Sequence, residues 1–159
     1  GDIAPLFMES YDWFTAEAAK RVPKPEDVHA PIWCSISPDN CLKPIEGTVV
    51  YILEVPEDKV MYFDDVKWDY VLNRIYLPDD EEDEKAYKQH LKDIGVSNGF
   101  EFFQGRYKGM YPEEEARIRE SWKRAFRIDK WTIFNVCGNI WEIRQEWVKR
   151  IVKPGEAVK

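Results

Sequence analysis

The chain has 159 residues, a formal charge of −7 and a sequence pI near 5.0. Hydrophobic residues make up 44% and charged residues 33%, enough apolar side chain for a buried core, which excludes a disordered chain. The acidic balance argues against non-specific binding to nucleic acid, whose phosphates call for lysine and arginine, and no apolar run approaches the roughly 20 residues that span a bilayer. Cys34, Cys41 and Cys137 are an odd number with no CxxC pair, which points to reduced thiols and a cytoplasmic setting. His29 and His90 stand in unrelated contexts, so no metal site is expected.

The first element reads as a helix over residues 5–21, opened by Pro5 and closed before Pro23 and Pro25. A short strand is expected over 30–36, where apolar and small polar residues alternate after Pro31. Thr48–Val55 is the clearest strand, nearly continuously apolar, as for a central strand buried on both faces. A turn at Pro56–Asp58 then leads to a neighbouring strand, Lys59–Phe63. Asp64 or Asp65 can cap a helix that carries Val66, Trp68, Val71 and Leu72 and stops near Asn73.

Residues 78–94 begin with six consecutive carboxylates, Asp79–Glu84, which suit the positive end of a helix; Gly95 marks its end. The glycine- and ring-rich stretch 95–112 is expected to be irregular. Pro112 opens a helix running to Phe126. Two strand-like pieces follow, Trp131–Val136 and Asn139–Ile143, with Gly138 allowing a bend between them. Glu146–Val152 reads as strand or short helix. The order predicts one α+β domain spanning residues 1–159, with one mixed or mainly antiparallel sheet and packed helices. Its core is expected to gather Trp33, Ile52, Trp68, Leu72, Trp122 and Ile143 in one cluster.

No glycine-rich phosphate loop and no nucleophile–histidine pattern is present. The chemistry-bearing candidates are polar residues beside large rings. Asp64 and Trp68 stand four apart at a strand-to-helix junction, with Asp69 adjacent; a helix cap over a core tryptophan is the plainer reading. Asn139, Trp141 and Glu142 lie on the expected late strand, where period-two alternation sets Glu142 against the other two. Asn139 and Glu142, with Asp64, are the candidate catalytic groups; an exposed edge-strand carboxylate is the plainer reading of Glu142. Trp33, Tyr51, Trp68, Asp69 and Trp141 are the candidate ligand-binding residues, because rings with a few polar atoms line small-molecule pockets.

Several short motifs occur in a characteristic order: Ser10-Tyr11-Asp12-Trp13, Pro31-Ile32-Trp33-Cys34, Leu53-Glu54-Val55-Pro56, Asp64 with Trp68 to Asn73, Ser121-Trp122 with Phe126, and Trp141-Glu142-Ile143. In combination they resemble the bacterial family known as domain of unknown function 3841, from about Glu9 to Val152. The family pattern places a strand and a helix before the Tyr-Asp-Trp motif, outside this sequence. It also has serine, histidine and a Gln-Ala pair where this chain has Phe63, Asp69 and Cys137-Gly138. The pattern bears a more distant, topological resemblance to ADP-ribosyltransferase-like proteins. That resemblance implies NAD as a cofactor, aromatic rings clamping its nicotinamide, and a carboxylate stabilising the oxocarbenium-like ribose. The three departures imply that such turnover is weakened or absent. Two functions follow as expectations: a binding module with an aromatic-lined cleft for a small molecule or a protein partner, or an ADP-ribosyltransferase-like enzyme.

Overall fold

Helix α1, Ala4–Arg21, opens the structure, a computed structural model that describes residues 4–159. Four α-helices and five short strands among the described residues make an α+β fold. The strands divide between two small sheets where a single sheet was expected. In the first, β1 (Ile32–Ser35), β4 (Val136–Ile140) and β3 (Met61–Asp64) lie in the order β1-β4-β3. The second pairs β2 (Val50–Leu53) with β5 (Val148–Val152). Both β1–β4 and β2–β5 are antiparallel, with Trp33 opposite Asn139 and Tyr51 opposite Ile151.

Three expectations about strands are corrected. The strand expected over Thr48–Val55 is shorter, and it is neither central nor buried on both faces: Tyr51 is 48% exposed. Its partner β5 carries Lys149 and Arg150, which must reach water, so the two-stranded ribbon stays at the surface. Nor does the strand expected over Lys59–Phe63 pair with it. Pro56 and a 3-10 turn at Glu57–Lys59 redirect the chain, and β3 joins the other sheet. Finally, Trp131–Val136 is mostly turn. The Asn135 carboxamide oxygen accepts from the Thr132 amide at 3.1 Å and the Thr132 hydroxyl from the Phe134 amide at 3.3 Å, which gives this backbone local partners. The strand therefore starts at Val136 and stops at Ile140, leaving Trp141 and Glu142 beyond it. Gly138 sits inside β4 and makes no bend. A Cβ there would meet Val60 at 3.3 Å and Ile36 at 3.5 Å, so close packing explains the glycine.

The helical expectations hold more closely. Asp64 caps α2 (Asp65–Leu72), its carboxylate accepting from the amides of Val66 at 2.9 Å and Lys67 at 3.2 Å. Asp80 caps α3 (Glu81–Asp93) by accepting from the Asp83 amide. Pro112 opens α4 (Pro112–Ser121), which tightens into a 3-10 turn at Trp122–Phe126 before the expected end.

The chain forms two compact units. The first comprises residues up to Tyr11 and Asp64–Ile128. Its core holds Trp68, Val71, Phe102, Phe103, Ile118 and Trp122 around a buried Arg74. Arg74 ion-pairs with Glu9 at 2.9 Å and its guanidinium lies 4.5 Å from the Phe103 ring centre and 5.5 Å from that of Trp122. The second unit comprises Asp12–Phe63 and Asp129–Lys159. Here Phe14, Trp33 and Phe63 form a mutual ring contact, with centres 4.7 to 5.2 Å apart. The expected single core cluster is thus divided: Trp68, Leu72 and Trp122 belong to one unit, Trp33, Ile52 and Ile143 to the other. Trp33 and Ile143 are 38% and 39% exposed, because β1 is an edge strand and Ile143 lies past the end of β4.

Candidate functional site

The second unit carries a cleft of about 680 Å³ between β1 and β2. Every residue from Ile32 to Pro38 lines it, as does every residue from Val49 to Val55. A strand presents only alternate side chains to a cavity on one face. Unbroken runs of lining residues therefore place the cleft against strand edges. β1 is the edge of its sheet, and β2 is bonded on one side only, to β5. Among the described residues, no other backbone hydrogen bond reaches Val50–Leu53.

Val60, Tyr62, Gly138 and Ile140 also line the cleft, as does Leu42, which is 88% exposed. With Val49 and Tyr51 this makes a contiguous apolar surface of the kind that marks an interaction site. The polar groups present are mostly occupied. The Ser35 hydroxyl donates to the Asn40 carbonyl at 3.0 Å, and the Ser37 hydroxyl accepts from the Asp39 amide at 3.2 Å. Burial pushes the Cys34 thiol up, which favours its protonated form. Burial, with the carboxylate of Glu57, likewise pushes the Tyr62 hydroxyl up. Among the lining residues Glu54 is the one formal charge, and it pairs with Lys149 at 3.2 Å. These side chains suit the cleft to taking up apolar surface and backbone amides; they assemble no acid–base pair.

Of the expected site residues, Trp33 and Tyr51 line this cleft. The others have different surroundings. Asp64 is buried as the α2 cap, Trp68 packs edge-on to Tyr11 at 5.5 Å, and Asp69 is exposed on α2, all in the first unit. Asn139 is fully buried on β4, and neither the nitrogen nor the oxygen of its side-chain carboxamide has a hydrogen-bond partner among the described residues. Trp141 donates its indole N–H to the Val22 carbonyl at 2.7 Å. Glu142, expected on a strand, lies past β4 and ion-pairs with Arg144 at 2.9 Å. Sequence reasoning missed the Ile32–Pro38 wall beyond Trp33, and Leu42. The available signal was the apolar Leu42 and Ile45 in a proline-containing segment with no helical or strand period. Among the described residues no group of three or more His, Cys, Asp or Glu side chains could hold a metal ion, and no helix is long and apolar enough to cross a membrane.

The chain belongs to the family described as domain of unknown function (DUF3841), which matches residues 1–149. Comparison with curated proteins and with solved structures returned no match. The likeness to ADP-ribosyltransferases finds no support in these comparisons.

Proposed function

We propose that this protein is a binding module whose cleft takes an extended apolar segment of another polypeptide along the free edge of β2. The observation that carries this reading is the cleft's position against the open backbone edge of β2. Such an edge offers unpaired N–H and C=O groups, and an added strand satisfies them. Alternate side chains of the incoming strand then settle on Tyr51, Val49 and the apolar wall of β1, where burial of apolar area supplies the affinity. Solvent-facing positions of the partner are best basic, given the chain's charge of −7. Three cysteines without a disulfide accord with a reducing, cytoplasmic location.

The test is an amide NMR titration with a blocked heptapeptide of alternating valine and lysine. Shifts should concentrate on Ile32–Ile36 and Val50–Leu53. Tyr51→Asp changes a half-exposed ring and should leave the melting temperature unchanged while weakening binding about tenfold, the equivalent of roughly 1.4 kcal/mol. Absence of shifts at millimolar peptide, or shifts confined to other surfaces, would overturn the proposal.

A further inference from the structure

The first unit has a second hollow, of about 420 Å³, lined by Tyr76, Arg117, Glu120, Ser121, Lys123 and Arg124. Three cations meet there in a chain whose net charge is −7. We propose that this hollow binds the phosphate group of a small phosphate monoester, independently of the cleft in the second unit.

The disposition of the opposing charges carries the argument. Asp83 is the carboxylate that answers Arg124, at 3.3 Å. Its Oδ2 is already taken up: it accepts from the Tyr76 hydroxyl at 2.8 Å and from the Asp79 amide at 2.8 Å. Arg124 also donates to the Leu77 carbonyl at 2.6 Å, which fixes its guanidinium at the wall. Lys123 pairs with Glu120 at 2.9 Å, a contact between partly exposed side chains that can rearrange.

Arg117 is different. No ion pair joins it directly to a carboxylate among the described residues, although its charge, with that of Arg124, helps hold the Asp83 carboxyl below its ordinary value. Its guanidinium instead packs against two rings, 5.5 Å from the centre of Tyr76 and 5.2 Å from that of Tyr87. The two rings stack on each other with centres 4.0 Å apart, so the Arg117 guanidinium lies beside the stacked pair, held by both. Arg124 stands 5.6 Å from the same Tyr76 ring, so one ring positions two forks. A phosphate monoester matches this set. It carries close to two negative charges at neutral pH and three oxygens that accept bidentate bonds from arginine. The volume exceeds that of a bare phosphate, which leaves room for an organic group beside the Tyr76 ring.

Phenyl phosphate, inorganic phosphate, benzoate and a short phosphotyrosyl peptide serve as probes, each titrated into the intact chain by calorimetry. Phenyl phosphate should bind at least tenfold more tightly than benzoate or inorganic phosphate, with affinity falling as salt rises. Arg117→Gln should weaken it at least tenfold and Lys123→Gln severalfold, with melting temperatures unchanged in both. Undiminished binding in Arg117→Gln, or no binding at about 10 mM phenyl phosphate, would overturn the assignment. Equal affinity for inorganic phosphate would mean an adventitious ion only. Binding of the peptide tenfold more tightly than phenyl phosphate would refute a small-molecule ligand.

Discussion

Replacing Trp122 with alanine should remove much of the stability of the first unit. The side chain is fully buried. Its indole N–H donates to the Ile75 carbonyl at 2.9 Å, its ring stacks on Phe103 with centres 6.0 Å apart, and the Arg74 guanidinium lies over its face. Loss of a core aromatic with a residual cavity costs about 3–5 kcal/mol. The Ile75 carbonyl, left without its donor, adds about 1 kcal/mol. The sum is a large fraction of the roughly 5–15 kcal/mol that holds a typical domain folded. Trp122→Phe separates the two contributions, since it keeps most of the buried ring and loses the N–H donor; it should cost about 1–2 kcal/mol. Urea unfolding of the three proteins, followed by far-ultraviolet circular dichroism, measures both differences. A loss below about 1 kcal/mol for Trp122→Ala, or equal losses in the two variants, would refute this account of the core.

The capping role of Asp64 predicts that Asp64→Ala lowers stability by about 1 kcal/mol while Asp64→Asn retains most of it, read from the same urea curves. Asn139→Leu replaces a buried side-chain amide that has no partner among the described residues, so it should leave stability unchanged or raise it by about 1 kcal/mol; a comparable loss would mean that the amide is satisfied by a buried water. Burial raises the carboxyl of Glu9, but hydrogen bonds and charge from Arg74 and Arg119 outweigh it and hold the group below its ordinary value of 4.5. A depressed folded-state value gives stability that is present above pH 4.5 and is lost as pH falls through the folded value. Glu9→Gln should therefore flatten the acid limb of the stability curve; an unchanged slope below pH 4.5 would contradict the pairing.

The helices were legible because their signals are local. Asp64, Asp80 and Pro112 each act on amides within three residues or on their own turn, so the start of α2, α3 and α4 can be read directly. The strands are four or five residues long, and their place depends on partners far along the chain. Nothing within Thr48–Val55 reveals that Val148–Val152 will pair with it and bring two cations to the surface. Thr132 and Asn135 were legible in principle, since both residue types compete for backbone donors, but the apolar pattern around them was read as strand. The candidate cleft was half legible for the same reason. Trp33 and Tyr51 stand out as rings, whereas a cleft against strand edges depends on how two sheets are divided. Asn139 and Glu142 attracted attention as polar residues beside tryptophan. Their fates, the one buried with no partner among the described residues and the other ion-paired past the strand end, follow from where β4 begins and stops.

Strand addition at β2 makes a demand that side-chain docking does not: the ligand's backbone must hydrogen-bond. Amide hydrogen exchange of Val50–Leu53 therefore tests it most directly, measured with the valine–lysine heptapeptide and with the same peptide N-methylated at every residue. The amides of β2 that point away from β5 should exchange at least tenfold more slowly with the first peptide and at the unliganded rate with the second. Equal protection by both peptides would show that side chains alone hold the ligand, and no protection by either would leave the edge of β2 without the role assigned to it.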